Sequence, residues 1–184
     1  MNNYKPIRLN KIYQGKIVEL VVQEYEEPMG GVHTKEIVKH PGGSVIVPLL
    51  DDDTIILVKQ YRYPLEKFIL EFPAGKLELN EEPIACARRE LMEETGYYAE
   101  SIKKLSTIYT TPGFCNEILH IYLATILKKT LNGQQLERDE HSLSVVQLPL
   151  RKAIQMVEEG EIMDGKTIIG ILLVERLKQG CNKS

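Results

Sequence analysis

The segment at residues 75–97, "GKLELNEEPIACARRELMEETGY", constrains the fold of this 184-residue chain more than any other stretch. It places one helical pattern, at about 81–95, between runs that are typical of β-strands. Within it Ile84, Ala87 and Leu91 fall within roughly 60° of one another on a helical wheel, which makes an apolar stripe. Such a stripe packs on another layer, and the flanking strands supply a sheet. We therefore predict a mixed β-sheet flanked by helices, in the α/β (α+β) class.

Runs of apolar and β-branched residues mark the predicted strands. They lie at 16–25, 34–40, 44–50, 54–61, 67–72, 102–110, 117–127 and 142–150. Two later segments, at 150–161 and 165–179, have helical patterns. The turn sequence "HPGG" at 40–43 predicts a boundary, so an N-terminal β-hairpin region at 1–40 precedes a main domain at 41–184.

Three residues mark the predicted ends of the central helix. Asn80 is a candidate N-cap, and Pro83 suits a first helical turn because it needs no backbone N–H partner there. Gly96 suits the C-cap, where the chain often adopts a left-handed conformation.

Composition argues against several classes of partner. A net charge of -3 gives no bulk attraction for nucleic acid or for an anionic membrane surface. Cys86, Cys115 and Cys181 form an odd set without CxxC spacing, which indicates reduced thiols in a cytoplasmic protein rather than disulfides or a zinc site. The polar first residues and the lack of a long apolar run predict neither a secretory signal nor a membrane span.

The central helix carries an acidic face next to its apolar stripe. Relative to Leu91, the wheel places Glu94, Glu90 and Glu93 at about -60°, -100° and -160°. Arg89, at about 160°, pairs most naturally with Glu93, so the wheel shows no basic side chain on the arc of the other two. Carboxylate oxygens gathered on one face suit Mg²⁺ or Mn²⁺. The alternative is a solvated surface, the commoner reading of three glutamates on a helix.

The spacing of the whole segment favours the metal-binding interpretation. Its fixed positions are Gly75, Glu81, Arg89, Glu90, Leu91, Glu93, Glu94 and Gly96, followed by a bulky residue. This pattern resembles the Nudix box, the signature of hydrolases that act on nucleoside diphosphates linked to another group. Tyr97 stands where the family usually has an aliphatic residue, at a position that packs. The resemblance implies an α/β/α sandwich around a mixed sheet, with the box forming a loop, a helix and a loop.

The resemblance also implies roles for the box residues. Glu90 and Glu94 would be the main metal ligands, and the carbonyl of Ala74 would complete the site. Glu93 would be an additional ligand or would hold Arg89. Glu93 and Arg89 are both candidate catalytic residues. Two or more divalent ions would offset the charge of the pyrophosphate, align a water and stabilise the departing phosphate.

Two box residues are assigned to the loop before the helix. Glu81 would approach the metals through water or help to fix that loop. Gly75 would supply backbone freedom, with an ordinary turn glycine as the alternative.

Segments outside the box resemble the ADP-ribose pyrophosphatase subgroup of the family. They are "QYRYP" at 60–64, "LEFPAGKLE" at 70–78, Pro112 in the loop after the box, and the tail at 158–173. The resemblance implies hydrolysis of ADP-ribose to AMP and ribose 5-phosphate. The alternatives are another nucleoside diphosphate sugar, such as GDP-mannose, and a sensing module that binds without cleaving.

Four residues outside the helix are candidates for substrate binding. Arg62 is the leading phosphate contact, since its fork suits a diphosphate, and a surface arginine is the alternative. Glu71 could orient a metal or Arg62, or cap the loop. Pro112 marks the substrate-side loop of the subgroup, and Glu117 could contact the ribose or a metal-bound water.

The catalytic base is expected in the acidic loop at 135–142 rather than in the box. Glu140 is the first candidate, followed by Glu137 and Asp139. In the resembled enzymes the N-terminal hairpin is exchanged or packed across a homodimer and completes the partner's adenine pocket. Tyr25 is therefore a candidate for stacking on adenine, with ordinary packing as the alternative.

Overall fold

The computed structural model describes residues 4–51, 53–136 and 141–181. The chain forms two compact units, one of Met1–Gly42 with Tyr109–Ile118, the other of Gly43–Ile108 with Leu119–Ser184. The strands are β1 Lys5–Gln14, β2 Glu19–Glu26, β3 Val32–Lys39, β4 Gly43–Pro48, β5 Thr54–Arg62, β6 Lys67–Glu71, β7 Ala74–Lys76, β8 Tyr97–Tyr109, β9 Ile118–Lys129 and β10 Ser144–Pro149. The α-helices are α1 Pro83–Thr95, α2 Leu150–Glu158 and α3 Gly165–Cys181.

The first unit is an antiparallel sheet in the order β1-β2-β3. The segment 109–118 joins it at β3, where the N–H of Val38 donates to the carbonyl of Phe114 over 2.8 Å. The β2–β3 hairpin was predicted, but β1 was not. All ten positions of β1 are exposed, and its sequence lacks the sustained alternation of apolar and polar residues that predicts a half-buried strand.

The second unit contains two sheets, ordered β10-β5-β6 and β7-β4-β9-β8. Strand β4 pairs parallel with β9 and antiparallel with β7, so the sheet is mixed. Successive side chains of β4 point to opposite faces, so Val45 and Val47 join one core cluster while Ile46 joins another. Buried residues of α2 and α3 belong to the first cluster, and Ala87 and Leu91 of α1 belong to the second. The predicted α/β/α sandwich is confirmed.

Helix α1 begins later than its sequence signals indicate. Glu82, not Asn80, is the N-cap, and it makes no side-chain capping bond. The residue before a proline is disfavoured in helical geometry, so Pro83 at the first helical position makes Glu82 the extended boundary residue. Ile84 was also misplaced in the buried stripe. It lies in the first turn and is 38% exposed, whereas Ala87 and Leu91 are fully buried.

The C-terminus of α1 ends at Gly96, as predicted, with a φ of 72° in the left-handed region. A loop closes over this end. The N–H of Thr130 donates to the carbonyl of Gly96 over 2.8 Å, and the side-chain amide of Gln134 donates to the carbonyl of Glu94 over 2.6 Å. These bonds occupy carbonyls that a helix end leaves without intrahelical partners.

Replacing Gly96 with alanine is expected to destabilise the fold by roughly 2–5 kcal/mol. The left-handed conformation costs about 1–2 kcal/mol with a side chain, and overpacking costs roughly 1–3 kcal/mol more. Overpacking arises because a Cβ there would lie 2.9 Å from the carbonyl carbon of Gly133. Gly160 is the matched control, since its φ is 73° but a Cβ there would meet nothing within 4 Å. Urea unfolding should show a larger loss for Gly96→Ala than for Gly160→Ala, and equal losses would contradict the packing argument.

Within the described ranges, no helix is both long and apolar enough to cross a membrane.

Candidate active site

The candidate site centres on the two glutamates that the wheel placed beside the apolar stripe. Glu90 and Glu94 are 6% and 2% exposed, so α1 carries both carboxylates into the protein. The backbone N–H of Ala74 donates to Glu94 Oε2 over 3.1 Å. A Cβ on Gly75 would lie 1.6 Å from Glu90 Oε1. Both carboxylates therefore lie against the backbone of Ala74 and Gly75.

This packing changes the explanation for Gly75. The glycine lies in the short strand β7, opposite Ser44 of β4, rather than in a loop that needs unusual torsion angles. Glycine is needed because the carboxylate of Glu90 occupies the space of a side chain.

Arg89 joins three of the box glutamates. Its Nε donates to Glu81 Oε1 over 2.9 Å, and its Nη1 donates to Glu90 Oε1 over 2.7 Å and to Glu93 Oε2 over 3.0 Å. The pairing with Glu93 was expected, but the contact with Glu90 corrects the prediction that no basic side chain reaches that arc. A wheel records where side chains leave the helix, and arginine is long enough to bend back.

The charges of Arg89 and Glu81 stabilise one another. The hydrogen bond from Arg89 holds the pKa of Glu81 below its ordinary value. The same bond to Glu81, together with the charge of Glu90 and the bond to Glu93, raises the pKa of Arg89. Arg89 and Glu81 therefore both stay charged at neutral pH. Glu81 Oε2 also accepts from the N–H of Glu78 over 3.0 Å, which ties Glu81 to the loop before α1.

Arg62 and Glu71 form a second charged group at the ends of β5 and β6. The Nε of Arg62 donates to Glu71 Oε1, and its Nη2 donates to Glu71 Oε2, each over 2.7 Å. Glu71 is 1% exposed, whereas the side chain of Arg62 is 39% exposed. Burial alone would lower the pKa of Arg62, but the hydrogen bonds and charge of Glu71 raise it. Of the roles considered for Glu71, the geometry favours orienting Arg62.

Two residues of this group were not predicted. Lys166, in the first turn of α3, donates to Glu71 Oε2 and also to Asp164 Oδ2, the latter over 3.0 Å. Asp164 accepts a further bond from the N–H of Thr167 over 3.1 Å, which is the geometry of a helix N-cap. An aspartate four residues before an apolar run predicts the cap. No local pattern predicts the pairing of Lys166 with Glu71, which is 95 residues away in sequence.

Known proteins match this chain along most of its length. The NUDIX domain family matches residues 40–167. The chain belongs to this family. An ADP-ribose pyrophosphatase of Bacillus subtilis is 44% identical over 167 residues, covering 91% of this chain and 90% of that protein. A methanol dehydrogenase activator of Bacillus methanolicus is 42% identical, with the same coverage of both chains.

Two further matches are more distant. A GDP-mannose pyrophosphatase of Klebsiella pneumoniae is 34% identical over 146 residues, covering 74% of this chain and 72% of that protein. A crystal structure titled an ADP compounds hydrolase has a TM-score of 0.83 and covers 98% of this chain and 97% of its own. Its sequence identity is 22%, so it supports the Nudix fold alone.

The donor atoms of the Nudix box fit a hard divalent cation. Among the described residues, no three histidine, cysteine, aspartate or glutamate side chains are already arranged around one metal position. Glu90 and Glu94 nevertheless bring buried carboxylate oxygens together beside the backbone of Ala74 and Gly75. Cys86 of α1 is a soft donor, but burial raises its pKa to about 12, so it is a neutral thiol at pH 7. This donor set favours Mg²⁺ or Mn²⁺ over zinc.

The first unit contains the other predicted substrate residues. A pocket of about 670 Å³ is lined there by Tyr4, Tyr25, Tyr109, Pro112, Phe114 and Asn116, among others. Glu117 lies in the same unit, where its Oε1 is 3.3 Å from His40 Nδ1. Pro112 and Tyr25 are thus brought together at one pocket, whereas Glu117 is not among its lining residues.

The candidate bases Glu140, Glu137 and Asp139 lie outside the described residues.

Proposed function

We propose that this Nudix protein hydrolyses the pyrophosphate bond of ADP-ribose, giving AMP and ribose 5-phosphate. The observation that carries the proposal is the burial of Glu90 and Glu94 against the backbone at Gly75, with Arg89 joining the box glutamates. The substrate is supported by the relatives that are named ADP-ribose pyrophosphatases.

Glu90, Glu94 and the carbonyl of Ala74 are the proposed ligands of Mg²⁺, with Mn²⁺ as a substitute and Glu93 as an additional ligand. Two or more such ions, when bound, would offset the charge of the diphosphate and activate water for attack on phosphorus. Arg89 donates to Glu90 Oε1, and a carboxylate has a second oxygen and further lone pairs with which it could bind a cation. The bonds of Arg89 to Glu81 and Glu93 hold its guanidinium beside these carboxylates.

Arg62 is the proposed diphosphate contact. Its guanidinium has five N–H donors, and Glu71 accepts from two nitrogens, so the exposed part of the fork can bind phosphate oxygens. Glu140 remains the first candidate for the base, with Glu137 and Asp139 as alternatives.

We propose that the pocket of the first unit completes the adenine site of the partner in a homodimer, as in the enzymes that this chain resembles. Its tyrosines and Phe114 offer flat apolar surfaces for a nucleobase, and Tyr25 is the proposed stacking residue. Pro112 shapes the same pocket, and Glu117 is proposed to contact the ribose. We further propose a cytoplasmic homodimer, with residues 1–40 as the dimerisation region, and no nucleic-acid or membrane partner.

A substrate panel tests the proposal. The purified 184-residue chain is assayed with Mg²⁺ against ADP-ribose, GDP-mannose and ATP. We expect kcat/KM to be highest for ADP-ribose, within the range of about 10⁴–10⁸ M⁻¹s⁻¹ that is typical of enzymes. Faster cleavage of GDP-mannose would make the chain a pyrophosphatase of that sugar, the activity named for the more distant relative. Tight binding without turnover would instead indicate a sensing module.

A further inference from the structure

We propose that Lys166 is a positioning residue for phosphate binding, which acts on the substrate through Glu71 and Arg62. This inference rests on the proposed function, because it assumes that Arg62 contacts the diphosphate. It adds a residue from α3, outside the Nudix box, and assigns it an effect on substrate affinity.

Lys166 is linked to Arg62 through the carboxylate of Glu71. Oxygen Oε2 of Glu71 accepts from both Arg62 Nη2 and Lys166 Nζ, so one buried carboxylate joins the two cations. The side chain of Lys166 is 12% exposed and Glu71 is 1% exposed, while Arg62 reaches solvent. Of these three residues, Arg62 is therefore the one that can readily contact a ligand. Glu71 and Lys166 fix the direction in which its guanidinium points.

The backbone around Lys166 is held by separate bonds. Asp164 caps α3 through the N–H of Thr167 and also accepts from the Thr167 hydroxyl over 2.6 Å. That hydroxyl oxygen accepts from the N–H of Phe72 over 2.8 Å, next in sequence to Glu71. The start of α3 is thus fastened to the end of β6 without the lysine, so removing its side chain leaves this attachment in place.

Charge balance gives Lys166 its effect on affinity. Asp164 and Glu71 are two carboxylates, and Lys166 and Arg62 are the two cations that balance them. Without Lys166 the group carries one net negative charge, and Arg62 becomes the sole cation of this group beside Glu71. The buried carboxylate of Glu71 would then draw the guanidinium inward, away from the solvent side where a diphosphate would bind.

The test is a double-mutant cycle between Lys166→Met and Arg62→Ala. We expect Lys166→Met to raise KM by about tenfold while kcat changes by less than about threefold. If Lys166 acts through Arg62, the double variant should have the KM of Arg62→Ala alone. Two effects on KM that multiply would overturn the proposal, because they would show that the residues act independently. Lys178→Met, which removes another lysine of α3, is the control and should leave KM unchanged.

A second variant covers the case in which Lys166→Met does not fold. Asp164→Asn keeps an oxygen for the helix cap but removes the charge that opposes Lys166, so KM should fall or stay the same. A rise in KM comparable to that expected for Lys166→Met would contradict the charge-balance argument. The double-mutant cycle is measured with the substrate that the wild type cleaves fastest. If that substrate is GDP-mannose, the proposed substrate is wrong, but the cycle still measures the coupling between Lys166 and Arg62.

Discussion

Glutamine at position 94 is expected to lower kcat for ADP-ribose by a factor on the order of 10³, the scale seen when a group that stabilises transition-state charge is removed. Glu94→Gln keeps the size of a side chain that is 2% exposed and one acceptor oxygen for the N–H of Ala74, but it removes the charge that a divalent ion requires. Initial rates at saturating Mg²⁺ measure the effect, and circular dichroism checks that the fold is retained.

The matched control is the same substitution one residue earlier. Glu93 is more exposed and contacts Arg89. We therefore expect Glu93→Gln to lower kcat by roughly 10–100-fold, as is usual for residues that orient metal ligands. Unchanged turnover of Glu94→Gln at saturating Mg²⁺ would show that the Nudix box is not the catalytic centre.

Alanine at position 75 is expected to lower kcat by about 10²-fold or more while leaving stability nearly unchanged. A Cβ would lie 1.6 Å from Glu90 Oε1 and 2.1 Å from Glu90 Cδ, so the carboxylate must move away. The atoms displaced are the end of a flexible side chain, so the fold can absorb the change, but misplacing a catalytic group by about 1 Å can cost 10²-fold in rate.

The contrast between rate and stability is the informative result for Gly75→Ala. Urea unfolding and steady-state kinetics are measured on the same preparation, with Gly180→Ala as the control because a Cβ there meets nothing within 4 Å. A large loss of stability with normal kcat per folded molecule would contradict the close contact between Gly75 and Glu90.

Much of the fold could be predicted because burial leaves a periodic trace in the sequence. Ala87 and Leu91 of α1 and the apolar runs of β4 and β5 are buried, and each was assigned to the correct kind of element. Strand β1 was missed because none of its residues is buried. Ile84 was misjudged because periodicity does not show where the first turn of a helix extends beyond the core.

Two parts of the candidate site could be predicted from the sequence, the glutamates that share α1 and the orientation of Arg62 by Glu71, which was one of the roles considered. Spacing identified Glu90 and Glu94, and the structure buries both. The contact of Arg89 with Glu90 depends on a flexible side chain, and the pairing of Lys166 with Glu71 depends on how α3 meets β6. Neither leaves a local pattern, because side-chain rotamers and contacts between distant segments are set by tertiary packing.

The most direct test of the proposed reaction is ³¹P NMR of ADP-ribose incubated with the purified protein and Mg²⁺. We expect the two diphosphate signals to be replaced by two phosphomonoester signals, those of AMP and ribose 5-phosphate, and no conversion when a chelator is added. Diphosphate signals that persist while the protein is folded and Mg²⁺ is saturating would contradict the account.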